Sequence, residues 1–176
     1  KILMKFNKLV SQKVLGKIYF VECNVGKSLL LWRNGNLNFA FTNVKHGGGI
    51  LLELSHEIDY LLWIFGNLKV ENSYINPNKF FNFNVEQNVF ATLKAKNFPI
   101  SLKMDVIRNN PERNCKVICK KGIIEMDLIK NKIIIRKNKK NLVYKFPKND
   151  LNLSYKNQIK NLLFKRKQNL NEINHS

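Results

Sequence analysis

Acidic side chains are scarce in this 176-residue sequence, which has 12 aspartates and glutamates against 31 lysines and arginines. The formal net charge of +19 first suggests a nucleic acid or another anionic surface as a partner. A nucleic-acid binder would place its lysines in one stripe, and here they alternate with asparagines along the whole chain. We therefore expect a generally solvated basic surface and no nucleic-acid partner. The surplus charge also suits an anionic substrate, such as a nucleotide-linked sugar.

Cysteine is equally rare. The three residues Cys23, Cys115 and Cys119 are an odd number, and their spacing matches no metal site. Cys115 and Cys119 lie four positions apart in a predicted strand, which places both on one face. We expect buried, reduced thiols in a cytoplasmic-type compartment, and no bound metal.

Long apolar runs are also missing. A membrane helix needs roughly 18 consecutive apolar residues, and the best candidate stretch is interrupted by Glu53, His56 and Asp59. The 44% of hydrophobic residues is still enough to build a core. We therefore expect one globular domain that does not enter a membrane.

Nucleotide-binding loops have no counterpart in the chain. No GxGxxG opens a strand–helix–strand unit, and the glycine-rich stretch GGGILLE, residues 47–53, lacks the lysine and the serine or threonine of a phosphate-binding loop. The chain therefore has no dinucleotide fingerprint of its own.

Regular elements are predicted from the spacing of the apolar residues. Helical spacing covers residues 2–10, 50–65 and 152–165, whereas residues 25–46 are rich in glycine and asparagine and are expected to be irregular. One strand is predicted within 14–24, and seven more are predicted near 70–75, 88–96, 100–107, 114–119, 122–128, 131–136 and 141–146.

This pattern defines the expected fold class. A few helices beside one large, mostly antiparallel sheet make an α+β domain. We assign it to residues 1–166, followed by a polar tail at 167–176.

The stretch GGGILLELSHEIDYLLWIFG, residues 47–66, contains the candidate chemistry. On one continuous helix, Glu53, His56, Asp59 and Tyr60 would form a polar ridge beside the apolar face. An imidazole near a carboxylate is suited to proton transfer near neutral pH. The three glycines before the helix would let a ligand approach the backbone closely. A purely structural histidine is the alternative that periodicity alone leaves open.

Four segments together resemble the C-terminal domain of Gfo/Idh/MocA-type oxidoreductases. In order they are GKIYFVECNVGKSLLLWRNGN, HGGGILLELSHEIDYLLWIFG, SLKMDVIRNNPERNCKVICKKGIIEMD and SYKNQIKNLLF. The resemblance covers about residues 3–165. The Ser-His-Glu-Ile-Asp form is similar to members found in bacterial surface-polysaccharide and nucleotide-sugar pathways.

The resemblance implies the C-terminal half of a two-domain enzyme that oxidises or reduces a sugar or related polyol. An N-terminal Rossmann domain, absent from this chain, would bind NAD or NADP. The C-terminal domain would be an open sheet with helices on one face, and its other face would pair subunits into a homo-oligomer.

The resemblance also implies roles for single residues. His56 would transfer the substrate hydroxyl proton, and either Glu53 or Asp59 would orient or polarise its imidazole. We assign Glu53 as the catalytic partner and Asp59 and Tyr60 as supporting residues. The substrate would be held by Trp32, Arg33, Gly47, Gly48 and Gly49. The sequence departs from the family at Leu52, where many members have an aspartate, and the lysine of the family's Glu-Lys-Pro motif would lie upstream of Lys1.

A second hypothesis is a stand-alone remnant that acts as a non-catalytic binding or oligomerisation module. The absence of a nucleotide domain from this chain favours it. The retention of Glu53, His56 and Asp59 on an otherwise apolar helix favours the enzyme.

Overall fold

A computed structural model of the chain describes residues 1–32, 40–75, 80–138 and 140–147. The architecture given below is that of the unit Lys1–Phe146. The helix predicted over 152–165 and the tail predicted at 167–176 lie outside the described residues, so both stay predictions.

Among the described residues of this unit there are three α-helices: α1 spans Ile2–Ser11, α2 spans Ile50–Glu53 and α3 spans Ser55–Phe65. In α1 the buried side chains are Ile2, Phe6, Leu9 and Val10. They recur at helical spacing, so burial of this face explains why the segment folds as a helix. Short 3₁₀ turns at Leu29–Leu31, Ala40–Thr42 and Val44–His46 occupy the segment that was expected to be irregular.

Eight strands form one sheet. They are β1 (Ile18–Gly26), β2 (Lys69–Ile75), β3 (Asn88–Lys94), β4 (Pro99–Asp105), β5 (Glu112–Cys119), β6 (Gly122–Asp127), β7 (Lys132–Lys137) and β8 (Lys140–Lys145). Their order across the sheet is β2-β3-β4-β1-β5-β6-β7-β8. Every neighbouring pair is antiparallel except β1 and β4, which are parallel. The predicted α+β fold with a mainly antiparallel sheet is therefore confirmed.

The core lies between the helices and one face of the sheet. On β1 the inward residues Val21 and Cys23 pair with Val117 and Cys115 of β5, and all four are buried. Because strand side chains alternate, the neighbouring Phe20 lies on the opposite, outer face, where it is 40% exposed. The three cysteines are buried and free, as the sequence predicted for the thiols.

The long helix predicted from residue 50 is divided at Leu54, whose backbone leaves the helical region at φ −107° and ψ 21°. The turn is tightened there, because the Glu57 N–H donates to the Leu54 carbonyl three residues back. The side chains of α3 that face the core differ from those expected. Glu57 and Tyr60 are buried, whereas Leu62, expected on the apolar face, is 41% exposed. The expected ridge that included Tyr60 is therefore wrong.

Candidate active site

A pocket of about 230 Å³ opens where the end of β1 meets the start of β5. The strand register produces this meeting point, because Val25 pairs with Arg113 and Gly26 with Glu112. The junction of α2 and α3 forms the opposite wall. The lining residues are Val25, Gly26, Lys27, Trp32, Leu54, His56, Pro111, Glu112, Arg113 and Ile129.

Two residues that the sequence singled out, His56 and Trp32, meet in this pocket. The His56 side chain is 49% exposed, so its imidazole is accessible from solvent. The Trp32 ring packs edge-on against Phe41, with ring centroids 5.9 Å apart, which fixes the indole as a wall. Arg33, the other expected substrate contact from that segment, lies outside the described residues.

The two carboxylates predicted to assist His56 are placed differently from the expectation. Glu53 and Asp59 are both exposed, and neither is among the residues that line the pocket. Their roles stay predictions without support from the pocket geometry.

Tyr60 belongs to the core and not to the pocket. Its hydroxyl lies 3.0 Å from the sulfur of Cys23, a contact in which either group can be the donor. Burial raises the pKa of Tyr60 well above its ordinary value and raises the pKa of Cys23 to about 12. Both groups therefore keep their protons at neutral pH and are part of the packed core.

The three glycines shape the backbone before α2 without lining the pocket. The Ile50 N–H donates to the Glu86 carbonyl, and the Leu51 N–H donates to the Glu86 carboxylate at 3.3 Å. A β-carbon on Gly49 would collide with that carboxylate. The predicted substrate contact of Gly47, Gly48 and Gly49 is untested, and at Gly49 the structure gives a packing reason for the missing side chain.

Sequence reasoning missed Glu57 and Arg113. The Glu57 side chain is 1% exposed, and its Oε1 accepts a hydrogen bond of 2.6 Å from Nε of Arg113. The same oxygen lies 3.3 Å from Nε2 of His56. On an unbroken helix Glu57 would share a face with the buried Ile50, Leu54 and Leu61, so the helical spacing was the signal that could have found it. Nothing in the spacing connects Glu57 to an arginine 56 residues later.

The remaining charges of the pocket are partly neutralised by neighbours. The Glu112 carboxylate binds Arg108, and it also accepts a hydrogen bond of 2.5 Å from the Asn114 amide. Arg108 also donates through Nε to Asp105 at 2.7 Å. Lys27 makes no ion pair with any residue in the described ranges, so its ammonium group is the unpaired cation of the wall.

The described residues were also searched for a metal site and for a membrane-spanning helix. Within them, no group of three or more histidine, cysteine, aspartate or glutamate side chains is arranged to hold a metal ion. None of the helices in this part of the chain is long and apolar enough to cross a membrane.

Comparison with known proteins identifies the class. Residues 3–125 match the family model of the GFO/IDH/MocA C-terminal domain. The chain therefore belongs to the GFO/IDH/MocA family and corresponds to the C-terminal domain of these oxidoreductases, which confirms the resemblance seen in the sequence. No protein with a curated description matches the chain.

Solved structures agree at the level of the fold. A protein from Thermotoga maritima assigned as an oxidoreductase has a TM-score of 0.67 at 17% identity, over 92% of this chain and 50% of that one. An inositol dehydrogenase homolog complexed with NAD⁺ from Azotobacter vinelandii has a TM-score of 0.67 at 10% identity, over 82% and 40%. A levoglucosan dehydrogenase in complex with NADH and levoglucosan has a TM-score of 0.67 at 14% identity, over 80% and 43%. This chain thus spans half or less of the length of these relatives.

Proposed function

We propose that this chain is the substrate-binding domain of an NAD(P)-dependent oxidoreductase that acts on a CH–OH group of a sugar or polyol. The observation that carries the proposal is the position of His56. The family's most specific segment in this sequence places an accessible imidazole in the pocket opposite Trp32. A nucleotide sugar of a surface-polysaccharide pathway is the substrate class we favour, because the unpaired Lys27 at the pocket wall suits an anionic group.

The chemistry asked of His56 is proton transfer. Oxidation of an alcohol removes a hydride from carbon and a proton from oxygen, and the neutral imidazole accepts that proton. In the reduction direction, the imidazolium returns the proton to the carbonyl oxygen. Trp32 offers a flat apolar surface on which the face of a sugar ring can lie.

The cofactor is NAD or NADP, and when bound it accepts or donates the hydride. The pocket on this chain, about 230 Å³, is large enough for a sugar ring but not for a whole dinucleotide. The sequence also lacks a phosphate-binding loop. These two facts support a cofactor that is bound mainly by a nucleotide-binding domain outside this chain.

Exposed aromatic residues on the outer face of the sheet support the proposal that the protein forms a homo-oligomer. On β2 and β3, Tyr74 and Phe90 are opposite each other and are 57% and 43% exposed. Phe20 on β1 adds a third exposed aromatic side chain to the same face. Exposed aromatic residues of this kind are typical of protein interfaces. The cytoplasm is the compartment that suits the three free cysteines.

The experiment that tests the proposal uses the protein expressed from its complete reading frame. NAD(P)H formation or consumption is followed by absorbance with nucleotide sugars, simple sugars and polyols. His56→Ala should lower kcat by about 100-fold or more, since a positioned acid–base group contributes about 10² to 10⁴ in rate.

His46→Ala is the matched control, because His46 ends a neighbouring 3₁₀ turn and does not line the pocket. It should leave kcat within about twofold, as expected for a surface substitution. A protein that binds no dinucleotide and turns over no member of the panel would overturn the oxidoreductase proposal and favour the non-catalytic binding module. Unchanged kcat in a folded His56→Ala protein would overturn the assigned role of the histidine.

A further inference from the structure

Glu57 is a carboxylate with no exposed surface, located directly behind the pocket. Transfer of a carboxylate from water to the protein interior costs several kcal/mol unless the charge is paired and hydrogen-bonded. Here only one oxygen is satisfied, because no described residue donates a hydrogen bond to Oε2. A buried carboxylate with one oxygen that lacks a hydrogen bond lowers the stability of the fold. Its presence therefore calls for an explanation other than stability.

The two groups that Oε1 contacts both line the pocket. Arg113 donates to it through Nε at 2.6 Å, and Nε2 of His56 lies 3.3 Å away. The Arg113 side chain is 39% exposed, and its guanidinium makes no other ion pair or hydrogen bond within the described part of the chain. One buried carboxylate therefore connects the histidine of α3 with a guanidinium of β5.

We infer that Glu57 is the positioning residue for His56, and that Arg113 keeps Glu57 in place. The inference rests on the proposed function. When the imidazole accepts the substrate hydroxyl proton and becomes a cation, the carboxylate stabilises that cation by charge. A bound nicotinamide cofactor would take the hydride, so the hydroxyl proton would stay on His56 and Glu57 would only hold the ring.

The groups packed around Glu57, other than Arg113 and His56, do not balance its charge. Beneath it lie Tyr60, Cys23 and Cys115, all protonated at neutral pH because burial raises the pKa of each group. The other charged residues that line the pocket are Lys27 and Glu112, and the latter is bound by Arg108. The contact with His56 thus links Glu57 to the proposed proton-transfer group of the pocket.

A double-mutant cycle in the full-length protein tests this inference. Glu57→Gln keeps the side-chain volume and removes the charge. We expect kcat to fall by about 10- to 100-fold with KM within about twofold, the size of effect common for residues that orient a reacting group. In the His56→Ala background, the same substitution should change kcat by less than about twofold, because the group it acts on is gone. Equal losses of kcat in both backgrounds would overturn the inference.

A second measurement does not need turnover. Carbethoxylation of histidine by diethyl pyrocarbonate requires an unprotonated ring nitrogen, and mass spectrometry can follow it in the full-length protein at fixed pH. Glu57→Gln should accelerate modification of His56 severalfold relative to His46, an internal reference in the same molecule. Glu57→Asp, which keeps the charge but is one methylene shorter, should give an intermediate rate and replaces the glutamine variant if that variant does not fold.

The two measurements separate the hypotheses. An unchanged ratio of His56 to His46 modification in the folded variants would overturn the positioning role, whatever the activity. A raised ratio in a protein that turns over no substrate would support the Glu57–His56 coupling while the oxidoreductase proposal fails.

Discussion

Arg113 and Glu57 form an ion pair whose two members are buried to very different degrees. The Glu57 side chain is 1% exposed and that of Arg113 is 39% exposed, although their Nε and Oε1 atoms are only 2.6 Å apart. Because of this difference, loss of either partner has unequal consequences. A guanidinium that loses its carboxylate can turn to water, whereas a carboxylate that loses its guanidinium stays in the interior.

The first prediction concerns stability. Arg113→Met should lower the free energy of unfolding by about 3–5 kcal/mol, the range found when a buried charge loses its partner. Glu57→Gln should lower it by only about 1 kcal/mol, since the amide can still accept a hydrogen bond from the arginine. Urea denaturation at neutral pH measures both values.

The control for this pair is the ion pair between Arg136 and Glu125, whose side chains are 43% and 16% exposed. Arg136→Met should change stability by no more than about 1 kcal/mol, as is usual for pairs open to solvent. Equal destabilisation by Arg113→Met and Glu57→Gln would contradict the asymmetry argued from burial.

The second prediction concerns alkaline pH. Burial raises the pKa of Cys23 from 9.0 to about 12 and also raises the pKa of Cys115 and Tyr60. The folded chain therefore holds these protons more tightly than the unfolded chain does. Their contribution to stability is fully present below about pH 9 and is lost as the pH rises toward about 12.

Urea midpoints at several pH values between 8 and about 11 measure this loss. Cys23→Ala removes one of the titrating groups, so its stability should fall less steeply with pH than that of the natural chain. Parallel pH profiles for the two proteins would show that Cys23 does not contribute to the alkaline transition.

The third prediction concerns the outer face of the sheet. If subunits pair through this face, Phe20→Arg should shift the protein toward the monomer in size-exclusion chromatography with light scattering, because it places a charge in an apolar interface. Val14→Arg is the matched control, since Val14 is also 40% exposed but precedes the sheet. A dimer that persists in the Phe20 variant would place the subunit contact elsewhere.

Much of the fold could be predicted because its signals are local. The alternation of β5 and the helical spacing of α1 each follow from burial of one face. The position of the sheet's single parallel pair was not predictable in this way. It depends on which distant strands meet, and β1 pairs with β4 about 80 residues later in the chain.

The candidate site was predicted less completely. His56 was found because a histidine on an apolar helix is conspicuous in the sequence, and Trp32 was found through the resemblance to the family. Glu57 was overlooked because a glutamate is normally expected at the surface, although its spacing from Ile50, Leu54 and Leu61 puts it on the buried face. The arginine that makes its burial tolerable lies 56 residues away in the chain.

The sequence by itself determined the α+β class, the family and the histidine, because periodicity, composition and short motifs are properties of neighbouring residues. Only the tertiary structure decided which acid stands behind that histidine. Exposed Glu53 and Asp59 were the expected partners, and buried Glu57 is the one that contacts it. The reason is physical: a buried carboxylate must have a cation nearby, and that cation, Arg113, comes from a strand that only folding brings to the helix.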